Sequence, residues 1–207
     1  MGRDPPVMVG VFGGTFDPIH TGHLAIANDV AQAFGLASVL FVPNSRSPLR
    51  QAPVASPIHR FEMCRLATSE NPDFAVSRVD IDRDGPSYAV DTLKLLRTDY
   101  PDSDFALIAG SDVVEELRGW RDTTRLLKDA LMIVVDRTGF ERVDVNNVAT
   151  DLAAPGRIVR HRATPLDVSS TEIRKRIAGG LPYRHFLHPL VYNYIRDHGI
   201  YDVTLAP

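Results

Sequence analysis

Apolar residues along the chain follow two different periods, and their order predicts alternating strands and helices. Between the first two apolar runs, apolar residues recur at spacings of three and four from Thr21 to Phe34, which predicts an amphipathic helix ending at Gly35. Short continuous apolar runs are typical of buried parallel strands, and they cover 7–12, 38–43, 105–110 and 131–136. We therefore predict an α/β fold, a Rossmann-like doubly wound parallel sheet with a small C-terminal helical extension.

Capping residues and apolar spacing predict five more helices. The first covers about 57–69 after an N-cap at Ser56, and the second is capped by Ser87 and runs through Leu96. The third covers about 122–129, the fourth runs from a capping box of Ser169 and Glu172 to Gly179, and the fifth covers about 188–198. In the last of these, Leu190, Tyr194 and Ile195 are predicted to share one face. Further strands are predicted across 74–82, from "FAVS" and "VDID", and at "RIVRH" within the turn-rich segment 138–167.

Composition narrows the class of protein. The 207 residues, 44% hydrophobic and 24% charged, are typical of one soluble globular domain, with a core at about 7–168 and an extension at about 169–201. A net charge of −3 argues against a general nucleic-acid binder. We expect no membrane segment, and Cys64, the single cysteine, is expected to be a small buried residue in a reducing, cytoplasmic setting.

The stretch "GVFGGTFDPIHTGHL" (10–24) joins the first strand to the first helix through two adjacent glycines. Backbone N–H groups and the dipole at a helix N-terminus favour anions, and Gly13 and Gly14 would let a phosphate approach the main chain. His20 and His23 can face one side of the first helical turn. Neither a Walker A loop nor G-x-G-x-x-G is present, and a metal site lacks a third ligand. The whole string favours a phosphate cradle over a plain turn with capping histidines.

Two motifs carry a resemblance to a known superfamily. "GGTFDPIHTGH" resembles the signature of the nucleotidyltransferases with an (H/T)-x-G-H motif, and "SSTEIR" (169–174) resembles their second signature. The stretches "GPSYAVDTL", "GSDVVEELRGW", "RTG" and "VYNYIRDHGIY" are similar to bacterial nicotinate-nucleotide adenylyltransferases. This resemblance extends from Val9 to Tyr201 and implies transfer of AMP from ATP to nicotinate mononucleotide, with release of pyrophosphate.

The resemblance also implies roles for individual residues. The catalytic residues would be His20, His23 and Arg174. ATP would contact Gly13, Gly14, Thr15, Phe16, Gly110, Ser169, Ser170 and Thr171. The mononucleotide would contact Asn44, Arg50, Tyr88, Asp112, Trp120 and Arg137. On physical grounds alone, Trp120 is equally well explained as a core aromatic.

Two positions depart from the family pattern. Ala89 stands where a threonine often contacts the nicotinate side, and Leu49 stands where a histidine or lysine is common.

Mg²⁺ is expected to accompany ATP, held by phosphate oxygens and water rather than by a protein metal site. The alternatives are another acceptor (nicotinamide mononucleotide, phosphopantetheine or FMN) and a non-catalytic nucleotide sensor. The sequence leaves a homo-oligomer open.

Overall fold

A single parallel sheet organises the protein, which a computed structural model describes over residues 7–46, 52–114, 116–136, 144–164 and 166–202. Its strands are β1 (Val7–Gly14), β2 (Ser38–Pro43), β3 (Phe74–Val76), β4 (Ser103–Gly110), β5 (Ala130–Val135) and β6 (Ile158–His161). Their spatial order is β3-β2-β1-β4-β5-β6, and every neighbouring pair is parallel. The strand order reverses between β1 and β4, and ligands of such sheets bind in the crevice at the carboxyl ends of these two strands.

Helices cover both faces of the sheet. They are α1 (Thr21–Phe34), α2 (Pro57–Thr68), α3 (Ala89–Asp99), α4 (Thr123–Asp129), α5 (Val145–Asp151), α6 (Ser170–Ala178) and α7 (Pro189–Asp197). Side chains of successive strand residues point to opposite faces, so Phe12 joins the core under α1, α2, α6 and α7, whereas Val9 and Val11 join the core under α3, α4 and α5. This three-layer arrangement confirms the predicted Rossmann-like fold.

Several predicted element ends are confirmed by the structure. Helix α1 ends at Gly35, whose left-handed φ of 60° suits glycine and whose N–H donates to the carbonyl oxygen of Ala31. The Ser56 hydroxyl accepts from the backbone N–H of His59 at the start of α2. Cys64 is fully buried, and burial raises the pKa of its thiol well above the ordinary value, so it is the inert packing residue predicted.

The predicted structure between β3 and α3 is wrong in two places. "VDID" (79–82) forms a turn rather than a strand, because Ile81 and Asp82 donate their N–H groups to the carbonyl oxygen of Arg78, and the Arg78 guanidinium pairs with Asp82. Ser87 does not cap α3. Its hydroxyl accepts from the backbone N–H of Ser45, 3.2 Å away, and Tyr88 is the N-cap residue.

In the C-terminal third of the chain, the structure differs from three further predictions. Helix α5 lies in the segment predicted to be turn-rich. It begins where Asp144 accepts from the N–H of Asn146, and it buries Val148 against the sheet. Leu190 is exposed rather than part of the buried face of α7, which Val191 and Ile195 form. The capping box of α6 is half formed: Ser169 accepts from the N–H of Glu172, but the Glu172 carboxylate pairs with Arg176.

None of the helices in the described part of the chain is both long and apolar enough to span a membrane.

Candidate active site

The turn after β1 lies at the edge of the sheet where the strand order reverses. Gly13 is exposed, and a Cβ placed there would meet no atom within 4 Å, so the main chain is open to a ligand at this position. Gly14 has a different reason to be glycine. A Cβ on it would lie 2.8 Å from the ring of Phe16, which is buried with a positive φ of 50°. The two glycines therefore do different work: Gly13 leaves the main chain approachable, and Gly14 admits the Phe16 ring.

His20 and His23 stack face to face at the start of α1. Their ring centroids are 3.7 Å apart with an interplanar angle of 24°, and the backbone N–H of His20 donates to Nδ1 of His23 over 3.2 Å. This bond requires Nδ1 of His23 to be unprotonated, so in the neutral ring the proton sits on Nε2, which is a donor. The His23 ring also packs edge-on against Phe16. The pair thus caps the helix, as the plain-turn interpretation expects, and presents imidazole N–H chemistry at the same place.

The second motif lies directly against the first. Ser170 Oγ donates to the carbonyl oxygen of Pro18 over 2.8 Å, and Arg174 Nη1 donates to the carbonyl oxygen of Asp17 over 2.6 Å. Arg174 Nη2 also donates to the hydroxyl of Thr171 over 3.3 Å. Two side chains of the second motif therefore bind the main chain of the first motif, 152 and 157 positions away in sequence, next to the histidines. A guanidinium, hydroxyl groups and a helix N-terminus at one point form a set of donors suited to phosphate.

Asp17 connects these two motifs to two other parts of the chain, and sequence reasoning missed it. Its buried carboxylate accepts from the N–H groups of Val54 and Ala55, at 2.9 and 3.0 Å, and from the Tyr201 hydroxyl at 2.8 Å. The same carboxylate lies 3.7 Å from the Arg174 guanidinium. Burial raises the pKa of the Tyr201 phenol, and the neighbouring Asp17 charge raises it further. The only sequence signal was the position of Asp17 inside the first motif.

Arg60 was also missed by sequence reasoning. Its side chain is completely buried, and it donates to the backbone carbonyl oxygens of Thr15, Ser45 and Ala55. Burial lowers the pKa of the guanidinium, and the Asp17 carboxylate opposes that shift. In sequence, Arg60 precedes the apolar residues Met63, Cys64 and Ala67 at spacings of three, four and seven, which places it on the buried face of the helix, whereas Arg65 lies off that face. That spacing is the signal that could have found it.

Three of the residues expected to contact the mononucleotide, Asn44, Tyr88 and Asp112, lie on segments at or next to this edge. Asn44 follows β2, and its Nδ2 donates to the Thr15 hydroxyl over 3.3 Å, which joins it to the turn after β1. Tyr88 is the N-cap residue of α3, and its ring centroid is 5.1 Å from the Arg121 guanidinium carbon. At the end of β4, a Cβ on Gly110 would meet the Asp112 carboxylate, which would have to move.

Trp120 was expected either to contact the mononucleotide or to be a core aromatic. It is half-buried and packs against the core on the side of the sheet that carries α3, α4 and α5. Its Nε1 is enclosed and has no hydrogen-bond partner among the described residues. The packing supports the core-aromatic interpretation. Arg50 and Arg137, also expected at the mononucleotide, lie outside the described residues.

Comparisons with known proteins agree with this geometry. Residues 11–176 match the Cytidylyltransferase-like family. The chain is 44% identical over 195 residues to a Roseiflexus sp. (strain RS-1) protein named "Probable nicotinate-nucleotide adenylyltransferase", covering 93% of this chain and 97% of that one. A protein of the same name from Tropheryma whipplei (strain Twist) is 40% identical over 189 residues, with coverages of 91% and 97%.

A solved structure shares the fold at lower sequence identity. The Plasmodium falciparum nicotinic acid mononucleotide adenylyltransferase, solved in complex with NaAD, superposes with a TM-score of 0.77 at 19% identity, covering 97% of this chain and 100% of that one. At that identity the likeness establishes the fold alone, whereas the two bacterial relatives establish kinship over nearly the whole chain. The chain belongs to the cytidylyltransferase-like family and, within it, to the nicotinate-nucleotide adenylyltransferases.

Proposed function

We propose that this protein transfers AMP from ATP to nicotinate mononucleotide, giving deamido-NAD and pyrophosphate, a step of NAD biosynthesis. The observation that carries the proposal is the contact between the two motifs at the sheet edge. Arg174 and Ser170 bind the main-chain carbonyl oxygens of Asp17 and Pro18, three and two residues before His20. Family membership supplies the acceptor, since the bacterial relatives are named for nicotinate nucleotide.

The ATP half of the proposed site needs donors more than it needs a base. The attacking group is a phosphate oxygen of the mononucleotide, already ionised at neutral pH. It forms a bond to the α-phosphorus of ATP while the bond from that phosphorus to the bridging oxygen breaks and pyrophosphate leaves. We assign His20 and His23 to the α-phosphate, where negative charge must be stabilised during in-line displacement. Arg174, with the hydroxyl-rich start of α6, is assigned to the leaving pyrophosphate.

The remaining ATP contacts are proposed to come largely from the main chain. Gly13 is an exposed residue at the end of β1, so a phosphate or ribose can approach its backbone closely. The other proposed ATP contacts are Gly14, Thr15, Phe16, Gly110, Ser169 and Thr171. Phe16 is buried, so its contribution would come from its backbone.

The acceptor half is proposed to lie between the loop after β2 and the start of α3. Asn44, Tyr88, Asp112 and Trp120 are the described residues assigned to it, with Arg50 and Arg137 proposed from the resemblance alone. Ala89 is the first residue of α3, next to Tyr88. Its methyl group cannot donate the hydrogen bond that a threonine would, so the nicotinate carboxylate must be recognised by other donors.

Mg²⁺ is proposed to enter with ATP. Among the described residues, no group of three or more His, Cys, Asp or Glu side chains is arranged to hold a metal ion. Magnesium retains several waters and is commonly held by substrate phosphates with few protein ligands. Bound in this way, the ion would neutralise charge on the phosphates, while the histidines and Arg174 orient the phosphoryl groups.

The setting proposed for this reaction is the cytoplasm, on the ground that the single cysteine is a buried thiol. The proposed partners are ATP and nicotinate mononucleotide.

Pyrophosphate release from ATP and Mg²⁺, measured with each candidate acceptor, tests the proposal. We expect turnover with nicotinate mononucleotide and, in His23→Ala, a fall in kcat of about 10²–10³-fold, because a donor to the developing charge is lost. His185→Ala is the matched control, since His185 is exposed in the C-terminal extension and its ring contacts Phe186 at a tilt. Its kcat is expected to stay within about twofold of the unsubstituted protein.

The same assay separates the alternatives. Faster turnover with nicotinamide mononucleotide, phosphopantetheine or FMN would reassign the acceptor and leave the ATP site as proposed. Tight ATP binding without turnover on any acceptor would identify a nucleotide sensor and refute the enzymatic proposal. Circular dichroism and thermal unfolding of His23→Ala must show a folded protein, because His23 also takes part in the cap of α1.

A further inference from the structure

We propose that Arg60 is a positioning residue that fixes the distance between the two halves of the active site. The two halves are the ATP-side turn, residues 13–16 at the end of β1 and just beyond it, and the acceptor loop, residues 44–46 after β2. Arg60 touches neither substrate in this proposal. The inference rests on the proposed function, because it concerns the alignment of the two substrates of that reaction.

The hydrogen bonds of Arg60 carry the inference. Its Nη1 donates to the Thr15 carbonyl oxygen over 2.7 Å, in the ATP-side turn, and its Nη2 donates to the Ser45 carbonyl oxygen over 3.1 Å, in the acceptor loop. Its Nε donates to the Ala55 carbonyl oxygen over 3.2 Å, one residue before the N-cap of its own helix. All three acceptors are main-chain atoms, so the bonds fix the course of the backbone rather than a side-chain rotamer.

The geometry of a guanidinium suits this task. Its N–H groups diverge in a rigid plane, so a single side chain holds carbonyl groups at fixed relative positions, whereas the single ammonium of a lysine cannot reproduce that fork. Because the guanidinium is fully buried, water does not compete for the three bonds. The nearby Asp17 carboxylate supplies a compensating negative charge.

Packing alone does not explain an arginine at this position. The neighbouring Met63 and Cys64 are also fully buried, and they fill the core of the same helix with apolar side chains. Burying an unpaired cation is unfavourable, and an apolar side chain of similar volume would fill the space without that cost. The distinctive property of Arg60 is therefore the set of bonds that it makes to two loops.

The bridge made by Arg60 is part of a longer connection. The Asn44 backbone N–H donates to the Gly14 carbonyl oxygen over 2.9 Å, which is a second link between turn and loop. Beyond the loop, the backbone N–H of Ser45 is held by the Ser87 hydroxyl beside Tyr88. Arg60 is thus the buried side chain in a path that runs from the ATP-side turn to the start of α3.

The consequence for catalysis is specific. In-line displacement requires both reactants at near-attack distance, and a misplacement of about 1 Å can reduce the rate about 100-fold. Loosening the bridge should leave each half able to bind its own substrate. Only the ternary complex, in which both halves must be in register, should lose activity.

The test uses Arg60→Met, which removes all three bonds, and Arg60→Lys, which retains the charge. We expect kcat for pyrophosphate release to fall about 100-fold in Arg60→Met and about 10-fold in Arg60→Lys. The dissociation constants of ATP without acceptor, and of nicotinate mononucleotide without ATP, should each change by less than about threefold by calorimetry, as expected for an effect confined to the ternary complex. If Arg60→Met does not fold, Arg60→Lys decides the outcome.

Two control variants lie on the same helix. Arg65 is exposed and pairs with Glu62, so Arg65→Met should leave kcat within about twofold. Met63→Ala creates a cavity and lowers Tm without touching the three bonds, so its kcat at a temperature well below Tm should be nearly unchanged. It reports what lost stability alone does to the rate.

Two results would overturn the inference while leaving the proposed function intact. One is an unchanged kcat in a folded Arg60 variant. The other is weaker binding of both ATP and nicotinate mononucleotide, each measured alone, in Arg60→Lys, if Met63→Ala shows the same weakening and the two variants have the same Tm. No turnover by the unsubstituted protein on any acceptor would instead refute the proposed function, and this inference with it.

Discussion

At the scale of single residues, the hydroxyl of Tyr201 links the last described residues to the first motif. It donates to the buried Asp17 carboxylate over 2.8 Å. Hydrogen bonds to charged groups contribute about 1.5–3 kcal/mol, and a buried carboxylate that loses one donor is left partly unsatisfied. We expect Tyr201→Phe to lower the free energy of unfolding by about 1.5–3 kcal/mol at pH 7, measured by urea denaturation.

The pH dependence of that difference identifies the hydroxyl as its cause. Burial and the Asp17 charge raise the pKa of Tyr201 in the folded protein. Above about pH 10 the phenol ionises in the unfolded state but not in the folded one, so its contribution to stability decreases as pH rises. The gap between Tyr201→Phe and the unsubstituted protein should therefore narrow above that pH. Tyr192→Phe is the control, since Tyr192 packs through its ring on Tyr183. A stability difference between Tyr201→Phe and the unsubstituted protein that does not change with pH would contradict the assignment.

At the scale of secondary-structure elements, the acceptor loop is tied to the start of α3 through two bonds. Ser87 Oγ accepts from the N–H of Ser45 over 3.2 Å, and the N–H of Ser87 donates to the Arg46 carbonyl oxygen over 2.9 Å. Ser87→Ala removes only the first. We expect KM for the mononucleotide to rise about fivefold, in line with the loss of about 1 kcal/mol, while KM for ATP stays nearly unchanged.

A matched serine makes the comparison informative. The Ser77 hydroxyl accepts from the N–H of Val79 in the turn after β3, so Ser77→Ala removes a bond of the same type that joins no part of the proposed site. Initial rates with each substrate varied in turn give both KM values. An equal rise in both KM values for Ser87→Ala would mean that the link does not act on the acceptor side alone.

The elements that sequence predicted well are those whose signals are local. Helix α1 was predictable because its apolar spacing and its end at Gly35 depend on nearby residues. Ser87 looked like a helix cap because the competing partner, Ser45, is 42 positions away. The turn at 79–82 was predicted as a strand because valine and isoleucine alternate with aspartate there, which is the pattern of a half-buried strand. The hydrogen bonds to Arg78 that close the turn leave no periodic pattern in the sequence.

At the scale of the whole molecule, the candidate site depends on two kinds of information. The two motifs could be paired from sequence through their resemblance to a known superfamily, and the fold brings Ser170 and Arg174 onto the first motif. Asp17 lies inside the first motif, but neither its partners nor those of Arg60 could be identified, because they are groups that only folding brings close to these two side chains. The meeting of the two motifs was therefore predictable, whereas the contacts of Asp17 and Arg60 were not.

The site concentrates cationic and imidazole groups at one edge of a molecule whose net charge is −3, and the described residues offer no cluster of three metal ligands. A metal that arrives with ATP should matter for turnover and leave the stability of the nucleotide-free protein unchanged. We expect EDTA to abolish pyrophosphate release and added Mg²⁺ to restore it. The Tm of the nucleotide-free protein should shift by less than about 1 °C in either condition, because an ion changes stability only where it binds the folded or the unfolded state preferentially. ATP with Mg²⁺ should raise Tm. A fall in Tm on adding EDTA to the nucleotide-free protein would instead show a resident ion bound by protein groups.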